Sequence, residues 1–151
     1  MKRVTKWVSC VLVISLFLLM LSIPIFNDYS AKKVEKDLRK LPLPEKTECI
    51  DSVSKTGKLV GNGNGMQYFG AILIKSELSL KELDDFYKEY RKNEGDCIVE
   101  VQRGQEINVI EHGSLKFPEE MKVFENYYIV YSWGSSLHPI ENMQDFDLRG
   151  H

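Results

Sequence analysis

A chain of 151 residues that is 43% hydrophobic has room for one modest core, not several domains. Its formal charge of −2 is unevenly divided: residues 1–45 carry 8 Lys and Arg against 4 Asp and Glu, residues 46–151 carry 12 against 18. The acidic larger part argues against a nucleic-acid partner, because affinity for a phosphate backbone comes from clustered Lys and Arg.

Residues 1–6 are a basic start, with Lys2, Arg3 and Lys6. Residues 7–26, WVSCVLVISLFLLMLSIPIF, carry no charge. Twenty helical residues at 1.5 Å each reach about 30 Å, the thickness of the hydrocarbon core. Water is absent there, so the backbone must bond to itself, which a helix does within one segment. The spacing predicts a transmembrane helix whose lipid contact is residues 7–26. A cleaved signal peptide has a shorter apolar run, and Asp28 and Tyr29 stand where a small residue is needed before Ser30 and Ala31. Lys2, Arg3 and Lys6 favour a cytoplasmic N-terminus, whereas Lys32, Lys33, Lys36, Arg39 and Lys40 pull the other way. A short basic N-terminus before a long C-terminal domain is the signal-anchor arrangement. It gives a single-pass protein of the cell membrane with its domain outside the cytoplasm.

Residues 27–46 are expected to be a stalk. Tyr29, Lys33, Val34, Leu38 and Leu41 fall at helical spacing, and Pro42 and Pro44 end the helix and stiffen the exit.

The soluble domain is expected over residues 47–134. Residues 47–60 read as an edge strand, 66–75 as a buried central strand, 96–104 and 123–134 as further strands, and 107–113 as an additional short one. Between the second and third lies the best-marked helix. Ser79 and Glu82 form a capping box, Leu80, Leu83, Phe86, Tyr87 and Tyr90 make its apolar side, and Gly95 is its expected stop. The fold class is therefore α+β: an N-terminal transmembrane helix, then a mostly antiparallel sheet of four or five strands with one helix packed on one face. Residues 135–151 have no period and are expected to form a loosely held tail.

Six constellations carry chemistry worth weighing. GNGNG at 61–65 lacks the Lys and Ser/Thr of a phosphate loop and reads as a turn. Cys97, with His112 and Glu100 or Glu111, has the residue types of a thiol nucleophile, but Asp96 beside it disfavours a thiolate. Glu111, Glu119, Glu120 and Glu125 have the types for acid–base work and need a cleft to face each other across. His138, Glu141, Asp145, Asp147 and His151 match no metal-ligand spacing. Tyr127, Tyr131 and Trp133, beside Tyr68 and Tyr128, form an aromatic face suited to a protein or glycan partner, or else to the core. Cys49 and Cys97 are a candidate disulfide pair: two cysteines in an exported domain favour the bond, and a simple topology that separates them opposes it. No cofactor or metal site is expected. The functional expectation is a noncatalytic surface domain that binds a partner or ligand. The alternatives are a small surface enzyme using Cys97 or the Glu111, Glu119 and Glu120 group, and an accessory subunit of a membrane complex.

Overall fold

The computed structural model describes residues 2–62, 65–122, 124–140, 142–147 and 149, with side chains in the first helix from Lys6 onward. That helix, α1, runs without interruption over Lys2–Arg39. Pro24 lies inside it, so one ladder bond is missing there. Ser22 and Ser30 return their hydroxyls to the carbonyls of Leu19 and Phe26, at 2.6 and 2.7 Å.

Four strands follow: β1 at Thr47–Gly57, β2 at Gln67–Ser76, β3 at Ile98–Val101 and β4 at Tyr127–Gly134. All pairings are antiparallel and the order across the sheet is β1-β2-β4-β3. The second helix, α2, spans Leu80–Lys88 and opens with the expected reciprocal Ser79–Glu82 capping box. It ends at Lys88, about two turns before Gly95. Arg91 instead folds back to pair with Asp84 and to donate to the carbonyl of Cys97.

The sheet has two very different covers. On one face Ile72, Ile74, Val99, Tyr128 and Val130 pack with Leu83 and Tyr87 of α2 and with Leu38 of α1. Two helices therefore share the face on which one was expected. On the other face Phe69, Ala71, Leu73, Ile129 and Tyr131 pack under Leu59, Ile107, Ile110 and Phe117. This second cover is not a strand, as 107–113 had suggested, but an irregular flap tied by the isolated bridge Glu106–Lys116 and by the Gln102 amide, which donates to the carbonyls of Gly104 and Glu106.

The segment read as a stalk has its helical half inside the fold. Ile23, Asn27, Ser30, Ala31, Glu35 and Leu38 of α1 are all buried. The seat is made by two glycines. A Cβ on Gly70 would lie 2.4 Å from the Glu35 backbone nitrogen, and one on Gly134 would lie 2.3 Å from Cγ2 of Val34. Helix and sheet thus meet almost backbone to backbone. The tail also differs from expectation. Residues 135–140 and 142–147 run back along α1, with a 3-10 turn at Met143–Phe146, and form a strap.

Candidate functional site

Where α1 crosses the end of β4, the loop after α2 closes a cleft of about 490 Å³. Val34, Leu38, Leu41 and Leu137 give it apolar walls, and Lys33, Asp37, Lys92 and Asp96 supply two charges of each sign. The ions largely neutralise one another. Lys33 and Lys40 reach the two oxygens of Asp37 at 2.5 and 2.8 Å. These contacts, the Lys33 hydrogen bond first, hold the Asp37 carboxyl below its ordinary value.

Cys97 also lines this cleft, but as part of its frame. Its φ of 51° is left-handed, an unusual state for a side-chain-bearing residue. That conformation is held by its own N–H, which donates to Ser132 Oγ at 2.8 Å, and by Arg91 on its carbonyl. Burial pushes the thiol upward and the Asp96 charge adds to this, against weaker pulls from Ser132, Arg91 and Lys92. A thiol so placed is a poor nucleophile.

The other expected site residues go elsewhere. Glu111 accepts from the Gly61 N–H at 2.7 Å and His112 contacts the Gly61 carbonyl at 2.8 Å, so both tie the flap to the 61 turn. Glu119 and Glu120 are exposed, and the Glu119 N–H caps Asp51. Glu125 accepts from the Tyr127 hydroxyl. These carboxylates do not converge with Cys97. Cys49 sits on edge strand β1 and Cys97 ahead of the opposite edge strand β3, so two strands lie between them and all three cysteines are free thiols. At about 4.8 Å per strand, the sideways separation alone is about 14 Å, beyond disulfide reach.

The aromatic face is core. Tyr127 and Tyr131 are 7% and 6% exposed, and Trp133 packs edge-on against Phe69 with centroids 5.0 Å apart. The reason is the flap, which covers the face that the bare strand pattern left open. Tyr131 donates to Glu100 at 2.7 Å; burial first, then that carboxylate, pushes its phenol up. Of the His138 group, Glu141 and His151 lie outside the described residues; His138 contacts α1, and among the described residues no three His, Cys, Asp or Glu side chains cluster as metal ligands.

Sequence reasoning missed a polar junction between α1 and the strap. Asn27 is fully buried, accepts from the Tyr68 hydroxyl at 2.9 Å and donates to Asp147 at 2.9 Å and to the Gln144 carbonyl. Asp147 is clasped by Arg149, which also makes a two-pronged pair with Asp28. The Arg149 hydrogen bond, only partly opposed by burial and joined by Asn27, holds the Asp147 carboxyl far below its usual range. Lower on α1, the buried Glu35 accepts from Ser52 Oγ at 2.7 Å and pairs with Lys32. Burial raises its carboxyl, yet the bonds from Lys32 and Ser52, the Lys32 charge and Ser54 together leave it below its ordinary value.

No family model, curated protein or solved structure matches this chain. The functional reading therefore rests on geometry alone.

Proposed function

We propose that this chain is a single-pass membrane protein whose extracytoplasmic α+β domain binds a partner at the membrane surface without catalysing a reaction. One observation carries the reading: among the described residues one helix is long and apolar enough to cross a bilayer at one end, and it is built into the domain at the other. Every residue from Lys6 to Leu18 is exposed, which for Val11, Leu12, Val13, Ile14, Leu16, Phe17 and Leu18 makes sense in lipid and not in water. Because the helix does not end at the membrane, the domain is held in a fixed pose rather than on a flexible tether. That favours presentation of a surface, and the cleft beside Lys33 and Lys92 is the surface on offer. Charges of both signs and apolar walls suit a polypeptide segment better than a glycan. The buried, raised Cys97 thiol and the dispersed glutamates favour binding over the alternative of a surface enzyme.

Two measurements test this. The full-length protein should stay in the membrane pellet through an alkaline carbonate wash; release into the supernatant would end the anchoring reading. In intact cells a membrane-impermeant maleimide should label the exposed Cys49, with Cys97 buried and Cys10 in lipid. Labelling of Cys49 only after lysis would reverse the orientation.

A further inference from the structure

We infer that the C-terminal strap is a lipid-contacting element that seats Ile140 and Phe146 in the headgroup–acyl boundary beside α1. The inference rests on the anchoring reading and adds a second, independent membrane contact to it.

The stretch of α1 that is exposed and uncharged throughout, Trp7 to Leu18, measures about 18 Å, whereas hydrocarbon is about 30 Å thick. The charge-free run reaches that thickness only by including Leu19 to Phe26. Those last two turns are not bare. His138 lies against Ser22, Nε2 to Oγ 3.5 Å, and meets the Phe26 ring edge-on at 5.1 Å. Ile23 is fully buried, and Arg149 reaches the Pro24 carbonyl. Ser22 stands about 6 Å on the membrane side of Phe26. A strap docked at that height cannot remain in bulk water while α1 spans the bilayer.

The strap has the surface that such a position requires. Ile140 and Phe146 are 45% and 63% exposed. Over the same turns of α1, Leu21 and Ile25 are exposed as well. Several of the strap's polar atoms meanwhile turn inward, while Asn142, Asp145 and Arg149 are exposed. His138 Nδ1 accepts from the Ile140 N–H at 3.1 Å, Ser30 Oγ accepts from the Leu137 N–H at 2.9 Å, and Asp147 is spent on Asn27 and Arg149. Apolar groups outward and polar groups satisfied within is what an interfacial segment needs, since unpaired polar groups are costly near hydrocarbon.

The test is depth by spin labelling of the full chain in vesicles of phosphatidylcholine and phosphatidylglycerol. Single cysteines are placed by Ile140→Cys, Phe146→Cys and Leu16→Cys in a Cys10→Ser, Cys49→Ser background, with native Cys49 labelled separately. Access to oxygen is compared with access to a water-soluble nickel complex. Both strap positions are exposed, so neither change threatens the fold. The expected result places labels at 140 and 146 about 5–10 Å into the headgroup–acyl boundary, the label at 16 deep in hydrocarbon, and Cys49 in water. Strap labels as water-exposed as Cys49, with 16 still deep, would overturn the strap inference and leave the anchor standing. A water-exposed label at 16 would overturn both.

Discussion

The two halves of α1 obey different rules although they form one helix. From Trp7 to Leu18 the side chains are uncharged, mostly apolar and all exposed; from Ile23 to Leu38 only one stripe is buried, and it mixes Ile23, Ala31 and Leu38 with Asn27, Ser30 and Glu35. The first half can use a solvent that is the same all round. The second must match a particular protein surface, and it does so with small residues, two seat glycines and specific polar bonds. A helix of one kind reads as anchor, a helix of the other as fold, and on the proposed anchoring their continuity would let the membrane fix the orientation of the domain.

The largest effect should come from the first half. Leu16→Asp puts a charge near the middle of the apolar run at a cost of about 2.5–3.5 kcal/mol. It should shift the protein from the carbonate-resistant pellet to the soluble fraction. The same side chain on the exposed side of the second half would change little. Gly70→Val comes next. Valine suits a strand, so its only fault is the Glu35 backbone 2.4 Å from the new Cβ. Backbone cannot rotate away, and the loss should lie near the top of about 1–3 kcal/mol, read as a lower melting temperature in detergent.

Glu35→Ala leaves the Ser52 hydroxyl without its acceptor and should cost about 2 kcal/mol by the same measurement. The wild-type carboxyl is depressed, so its contribution is present above the ordinary value of 4.5 and lost as pH falls through the lower folded value. Glu35→Gln should accordingly flatten the acid side of the stability curve. Asp147→Asn weakens the strap clasp by about 1 kcal/mol, a modest figure because water can reach Arg149 in its place. Hydrogen exchange at residues 135–140 should quicken while β2 stays protected. Gly65→Ala is the smallest: nothing lies within 4 Å of its added Cβ, so stability should hold within about 0.5 kcal/mol.

These differences explain what could be read in advance. The apolar run, the capped helix, the central strand and the edge strand β1 are local patterns, and each stands in the sequence. The packing of α1 was legible too, in part: Ile23, Asn27, Ser30, Ala31, Val34 and Leu38 recur every three or four residues, the period of a buried stripe. Its polar members disguised it as a stalk face. Gly70 read as one more residue of a hydrophobic strand, because a seat is visible only once its occupant is known. The flap over Tyr127 and Tyr131 has no period at all, so the aromatic face could be read either as a partner surface or as core. The strap was hidden similarly: Asp147 and Arg149 look like a wet tail until Asn27 and Asp28 stand opposite them.

The claim on which the account depends is that α1 passes from lipid into the domain without a joint. The native thiols allow a direct measurement, since Cys10 lies in the apolar half and Cys49 on β1, with Cys97 buried. Spin labels on Cys10 and Cys49 of the full chain in bilayers should give a single narrow distance distribution. A broad one, showing the domain swinging about residues 27–34, would contradict the account.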